Sequence, residues 1–211
     1  MRSRKILALT TALMFCVSGV IAGCSASPDS EVAAKTVKPE TSPVTVRVEG
    51  ERAENFVSLD QLAQKSSAIV HVEPTGNTKS VPLSAIDGAD GSAPIEYIEL
   101  AVANIIDGAV EGEAIWVVSP GVEDETARPA LTSPRSYILF LAPAMYAANE
   151  PIGGYVVVGG PAGMFVEGTN ARTTFFKVDP LSEDLPNTID SATTDFPKIT
   201  KTEEELLHEG P

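Results

Sequence analysis

Apolar and polar residues alternate with a period of two in several short stretches of the chain, which is the pattern of half-buried β-strands. In residues 68–73 the alternation places Val70 and Val72 on one face, with His71 and Glu73 on an opposite face that we expect to be solvated. The remaining strands are predicted at residues 95–106, 113–119, 137–142, 155–158, 164–167 and 173–178. The strand at residues 137–142 is apolar on both faces, as is most of the strand at residues 113–119, and this favours central positions of these two strands in a sheet.

Signals for helices are few. Ser58 and Gln61 have the spacing of a capping box, which predicts one short helix that ends near Lys65. Residues 74–93 are rich in Gly, Ser, Asp and Pro and predict a long loop, and the glycines of residues 153–163 predict tight hairpins. Short strands with almost no helix between them predict an all-β fold, a small antiparallel (OB-like) barrel or sandwich with one short helix.

Composition divides the chain into four parts. Residues 1–23 read as a lipoprotein signal peptide, and residues 24–55, rich in Ser, Pro, Thr, Lys and Glu, as a lipidated cysteine followed by a flexible tether. Residues 56–179 are long enough to form a hydrophobic core and are predicted to be the β-barrel domain. Residues 180–211 are acidic and contain several prolines, so we expect a mostly disordered tail with a short terminal helix as an alternative.

The first part ends in a recognisable motif. Basic residues precede a long apolar run that closes with Ile21-Ala22-Gly23-Cys24, and this arrangement resembles the lipobox of bacterial lipoproteins. The resemblance implies cleavage between Gly23 and Cys24, a lipid on the Cys24 thiol, and a place on the extracytoplasmic face of a cell membrane. A short transmembrane helix and ordinary signal cleavage with a free thiol are the two alternatives.

The central domain carries a second, purely structural resemblance. Its AIVHV segment at residues 68–72, the IIDG segment at 105–108, LFL at 139–141 and VVGGPAGMF at 157–165 are similar to segments of uncharacterised OB-like or netrin-module-like lipoproteins. The resemblance implies a barrel and assigns no functional residue.

Charge and composition exclude several kinds of partner and cofactor. The formal net charge is -14, so binding to the phosphates of a nucleic acid is not expected. The chain has 2 Cys and 2 His, of which Cys16 lies in the predicted signal peptide and Cys24 is the predicted lipid site, so we expect no zinc site. Residues 87–92 have some features of a calcium loop but lack its alternating ligands, and we expect no metal and no cofactor.

No catalytic arrangement is visible in the sequence. His71 is the one histidine of the central domain, and a nucleophile would need such a base held in place by a third group. Glu96 and Glu99 fall on opposite faces of their strand, so they do not form a natural pair of acids. Tyr97 and Trp116, like the other tyrosines of the domain, are expected in the core or at the barrel rim. We therefore expect a protein that is not an enzyme.

These observations predict a membrane-anchored extracytoplasmic lipoprotein that acts as a binding or interaction module of the cell envelope. The expected partners are the lipid bilayer, through acylated Cys24, and an envelope protein or polymer. The alternatives are a carboxylate-based hydrolase or lyase that acts on cell-wall polymers, and a calcium-responsive structural surface protein.

Overall fold

The computed structural model describes residues 55–82, 94–121, 130–132, 134–169 and 171–209. The predicted signal peptide, Cys24 and nearly all of the predicted tether lie outside the described residues, as does the loop at residues 87–92.

The helix predicted from the capping box is present as α1, Leu59–Gln64. The Ser58 hydroxyl accepts a hydrogen bond from the Gln61 backbone N–H at 3.2 Å, and the Gln61 side chain accepts one from the Val57 N–H at 3.0 Å. The Gln61 N–H, one of the donors that a helix start leaves unpaired, is thereby satisfied, and the second bond ties Val57, the residue before the cap, to the first turn. Leu62 and Ala63 form the buried side of the helix.

Eight strands form one sheet in the described part of the chain. They are β1 Ala68–Val81, β2 Ile95–Gly108, β3 Ala114–Val118, β4 Tyr137–Ala147, β5 Glu150–Val157, β6 Met164–Gly168, β7 Ala171–Lys177 and β8 Thr188–Asp190.

Five of these strands close into a ring. The order of the sheet is β1-β2-β3-β5-β4-β6-β7-β8, and an additional antiparallel pairing between β1 and β4 joins the ends of the first five strands. The contact between β3 and β5 is parallel, with Val117 opposite Tyr155, and the other pairings of the ring are antiparallel. The predicted all-β class is confirmed, and of the two predicted architectures, an antiparallel (OB-like) barrel or a sandwich, the structure has the barrel, with one parallel contact.

The barrel encloses an inner core. Alternate residues of the ring strands point inward, and they are joined there by residues from β6, from the segment that precedes β4 and from the end of β7. Its buried members are Ala68, Val70, Val72, Ile98, Leu100, Ile115, Val117, Ala130, Leu131, Tyr137, Leu139, Leu141, Tyr155, Val157, Met164, Val166 and Val178.

A second, outer core lies on the other face of β1, β4 and β6. It is covered by α1 and by the segment that follows β7. Its buried members are Phe56, Leu62, Ala63, Ile69, Ile138, Phe140, Val158, Ala162, Phe165, Phe175, Leu185 and Ile189.

The segment after residue 179 differs from the expected disordered tail. Residues 180–209 are ordered. They contain β8, which pairs with β7, and they end in a second helix, α2, at Glu203–Glu209. Asp179 is buried and accepts hydrogen bonds from the Leu181 N–H at 3.0 Å and from the Ser182 hydroxyl. Leu206 of this segment is also buried. The expectation of disorder rested on the acidic composition and did not take such apolar residues into account.

Two glycine segments and one loop also differ from expectation. The first pair, Gly153 and Gly154, lies inside β5 and not in a hairpin. Residues Gly160–Gly163 form a 3-10 helix that leads from β5 into β6, and both of these strands pair with β4 and not with each other. β1 continues to Val81 through the first part of the predicted loop, because an irregularity between Pro74 and Thr78, with Gly76 at φ 85°, allows the strand to continue pairing with β2.

Candidate functional site

The outer face of β1, β2 and β3 brings polar and aromatic side chains together. On β2 the inward residues Ile98 and Leu100 belong to the inner core, so Tyr97 and Glu99 point to the outer side of the sheet. Tyr97 is opposite Lys79 of β1 and Val118 of β3, and Glu99 is opposite Trp116 of β3. We call the set Thr75, Asn77, Lys79, Tyr97, Glu99 and Trp116 the Trp116 face.

Two aromatic rings of this face share one cation. The Lys79 Nζ atom lies 4.3 Å from the centroid of the Trp116 ring and 4.9 Å from that of Tyr97. Both distances fall within the range of cation–π attraction. The Lys79 side chain is exposed and Trp116 is half-buried, so the ammonium covers an aromatic surface that would otherwise be open to solvent.

Of the two aromatic residues in contact with Lys79, Tyr97 is the more deeply buried. It is 2% exposed, and its hydroxyl donates a hydrogen bond to the carbonyl oxygen of Ile152 at 3.3 Å. Burial raises the pKa of the Tyr97 hydroxyl, so the group remains a neutral donor near pH 7. Through this bond Tyr97 connects β2 to β5 and stabilises the position of the ring beneath Lys79.

The carboxylate of Glu99 is positioned by two donors. The Asn77 side-chain amide donates to its Oε2 atom at 2.7 Å, and the Thr75 hydroxyl lies 2.8 Å from the same oxygen. The hydrogen bond from the Asn77 amide lowers the pKa of Glu99 below its ordinary value, and the one from the Thr75 hydroxyl adds a smaller effect in the same direction. The carboxylate is therefore ionised at neutral pH, and its orientation is set by the irregular part of β1.

The groups of the Trp116 face are suited to non-covalent contacts. It offers an aromatic surface, a positive donor and a negative acceptor on adjacent strands of a rigid barrel. A few polar groups that converge beside an apolar surface are typical of a ligand site.

Sequence reasoning did not find this site. It placed Tyr97 and Trp116 in the core or at the rim, and it placed Lys79 in a loop. Tyr137 and Tyr155 do belong to the inner core. The available signal was the alternation of β2, which puts Tyr97 on the face opposite Ile98, but the partner strand of Lys79 could not be identified from the sequence.

The sequence-predicted residues lie elsewhere. Gly23 and Cys24, the predicted cleavage and lipid sites, are outside the described residues. His71 was expected on a solvated face, and the structure corrects this: its ring packs edge-on against Phe175, with 5.2 Å between the centroids. The Nε2 atom of His71 is buried and has no hydrogen-bond partner among the described residues. The outer core extends over this part of β1, which is why the face is not solvated.

A second group of ionisable residues surrounds Tyr155. Burial raises the pKa of the Tyr155 hydroxyl, and the negative charges of Glu203 and Glu111 raise it further, while a hydrogen bond with the Glu111 backbone has the opposite effect. Glu111 lies between β2 and β3 and Glu203 in α2, so charges from two distant parts of the chain act on the Tyr155 hydroxyl. The sequence did not indicate this proximity.

No group of three or more His, Cys, Asp or Glu side chains that could hold a metal ion occurs within the described residues. The helices of this same part of the chain are too short or too polar to cross a membrane.

Comparison with protein-family models, with curated proteins and with solved structures finds no match to this chain.

Proposed function

We propose that this protein is a lipid-anchored binding module of the bacterial cell envelope, which holds an envelope component through the Trp116 face. The observation that carries the binding role is the convergence of Lys79, Glu99 and Trp116 on one side of the barrel, with distances of 4.3 Å from the cation to the Trp116 ring and 2.7 Å from the Asn77 amide to the carboxylate.

The anchor is supported by the sequence of the first 24 residues. The Ile21-Ala22-Gly23-Cys24 motif follows a basic start and an apolar run, in the order that a lipoprotein signal requires. A thioether-linked diacylglycerol carries two acyl chains, and two chains anchor a protein stably where one does not. Residues 25–55 would then separate the barrel from the membrane surface.

The anchor is tested by metabolic labelling with an alkyne analogue of palmitate in a bacterial host. We expect the full chain to be labelled and to fractionate with membranes, and Cys24→Ser to lose both properties. Cys16→Ser is the matched control, since Cys16 lies in the segment that cleavage removes, and it should behave as the wild type. Label retained by Cys24→Ser, or absent from the wild type, would contradict the proposal.

The binding role is tested separately, by chemical crosslinking of the full chain to isolated envelopes. We expect crosslinked products with the wild type that are reduced in Glu99→Gln, a substitution at a half-buried side chain that keeps the size of the group. Tyr146→Ala is the control, because Tyr146 is an aromatic residue with 51% exposure at the end of β4 and outside the Trp116 face. Equal crosslinking of all three proteins would exclude the Trp116 face as the contact surface.

A further inference from the structure

We infer that the ligand of the Trp116 face is an uncharged glycan strand, which stacks on Trp116 and donates a hydroxyl to Glu99. This inference rests on the binding role proposed above and names the chemical class of the partner.

The charges around the face favour an uncharged ligand. The face itself contains one cation, Lys79, and one anion, Glu99. The barrel domain at residues 56–179 has six Lys and Arg against fifteen Asp and Glu, and the whole chain has a net charge of -14. A polyanion would be repelled by this surface, whether its charge came from phosphate or from carboxylate groups. A neutral polyhydroxyl chain meets no such repulsion.

Trp116 supplies the surface on which a sugar ring can stack. It is held on β3 between Ile115 and Val117, both of them buried in the inner core, so its backbone is fixed. Lys79 covers the ring with a long, flexible side chain, and an exposed cation–π contact is weak enough to exchange for a ligand. Once displaced, the ammonium still lies beside the ring, where it can donate to sugar oxygens.

Glu99 supplies a fixed acceptor. Its Oε2 atom receives the Asn77 amide and lies within bonding distance of the Thr75 hydroxyl, while among the described residues no donor contacts its Oε1 atom. An ionised carboxylate accepts at both oxygens. The free oxygen is therefore available to a hydroxyl of a sugar that lies over Trp116, since Glu99 and Trp116 are direct partners across β2 and β3.

The experiment uses the fluorescence of Trp116, the one tryptophan of the chain. The full chain is kept in a detergent without a sugar headgroup and titrated with two probes, the β-1,4-linked tetramers of N-acetylglucosamine and of glucose. We expect a saturable change of tryptophan emission with at least one tetramer, and heat of binding by calorimetry at the same concentrations.

Variants then assign the binding to the face. Calorimetry should show affinity about tenfold lower for Trp116→Ala, as expected for the loss of an aromatic stacking partner, and a clear reduction for Glu99→Gln. Tyr146→Ala should bind as the wild type does. Glu99→Gln keeps the test valid if Trp116→Ala does not fold.

Two results would overturn the inference. One is the absence of both the fluorescence change and the heat of binding for both tetramers up to millimolar concentration. The other is that Glu99→Gln and a correctly folded Trp116→Ala both bind the tetramer with the affinity of the wild type. If envelope crosslinking still depends on Glu99 while neither tetramer binds, the binding role remains and the glycan assignment is wrong.

Discussion

The two cores of this protein differ in the side chains that fill them and in the elements that enclose them. The inner core is mainly aliphatic, with Tyr137 and Tyr155 as its aromatic members. The outer core contains four phenylalanines, Phe56, Phe140, Phe165 and Phe175, and is covered by α1 and the segment after β7. A five-stranded barrel has a narrow interior that branched aliphatic residues fill well. The gap between a sheet and the elements packed on it accepts larger rings.

β4 belongs to both cores and shows how one strand serves them. Leu139 and Leu141 point into the barrel, and Ile138 and Phe140 point into the outer core. The strand is apolar on both faces for this reason, as a central strand must be. The comparison shows that α1 and the segment after β7, which lie outside the ring, contribute buried residues to a core that the ring strands share.

The largest effect is expected from truncation of neighbouring residues of β4. Phe140→Ala should reduce the free energy of unfolding by about 3–5 kcal/mol and Leu139→Ala by about 2–5 kcal/mol, because both side chains are fully buried. Chemical denaturation measures these values. Limited proteolysis should separate the two cores: in Phe140→Ala, cleavage within residues 180–209 should increase more than in Leu139→Ala. Equal cleavage patterns would mean that the two cores unfold as one unit.

A smaller effect is expected at the glycine pair of β5, which tests closure of the barrel. A Cβ atom at Gly154 would lie 2.5 Å from the carbonyl oxygen of Trp116, whereas one at Gly153 would meet nothing within 4 Å, and both residues have positive φ. Gly153→Ala should therefore cost only the backbone strain, about 1–2 kcal/mol. Gly154→Ala should cost about 2–4 kcal/mol, since it adds a clash between β5 and β3. Similar thermal midpoints for both variants would contradict this account of the β3–β5 contact.

The attachment of the C-terminal segment should depend on pH through Asp107. Its carboxylate accepts a hydrogen bond from the Ile199 N–H at 2.5 Å and lies 3.1 Å from the Lys198 ammonium. The Ile199 bond is the main cause that lowers the pKa of Asp107 below its ordinary 3.8, with Lys198 contributing less. The folded state thus favours the ionised form, and the resulting stability is complete well above pH 3.8 and is lost as the pH falls through the lower folded pKa.

Asp107→Asn should accordingly lower the free energy of unfolding by about 1.5–3 kcal/mol at pH 6, a range typical of hydrogen bonds to charged groups. The difference between wild type and variant should shrink in acid. Asp184→Asn, at an exposed position of the same segment, is the control and should change little. A difference that stays constant with pH would show that the Asp107 charge does not hold the segment.

The smallest effect is expected at the helix that covers the outer core. Ser58→Ala removes the acceptor of the Gln61 N–H and should cost about 1 kcal/mol, the usual value of an N-terminal cap. Ser80→Ala, at an exposed position of β1, is the matched control. Equal stability of the two variants would mean that α1 does not depend on its cap.

Local patterns were sufficient for most elements of the fold, although they predicted neither β8 nor the 3-10 helix at Gly160–Gly163. Alternation located β1 and β2, short apolar runs located β3 and β4, and the spacing of Ser58 and Gln61 located α1, because all of these signals depend on neighbouring residues alone. The same patterns failed at the ends of β1 and β5. There, pairing with a neighbouring strand extends each strand through glycines that local rules interpret as turns.

The candidate site could be predicted only in part. The sequence places Tyr97 and Glu99 on one face of their strand, but the contact of Lys79 with Trp116 depends on which strands are neighbours and on their register. The packing of the His71 ring depends likewise on Phe175, which is more than a hundred residues away. Register is fixed when the apolar face of a strand is matched to its neighbours, so it cannot be assigned before the neighbouring strands are known.

By itself, the sequence determined most of the secondary-structure elements, the all-β class and the acidic charge, since these follow from composition and from the periodicity of nearby residues. Only the tertiary structure decided the order in which the strands close the ring, the packing of residues 180–209 on the barrel and the assembly of the Trp116 face. Each of these depends on contacts between distant parts of the chain, and such contacts form only where the surfaces of the folded elements fit one another.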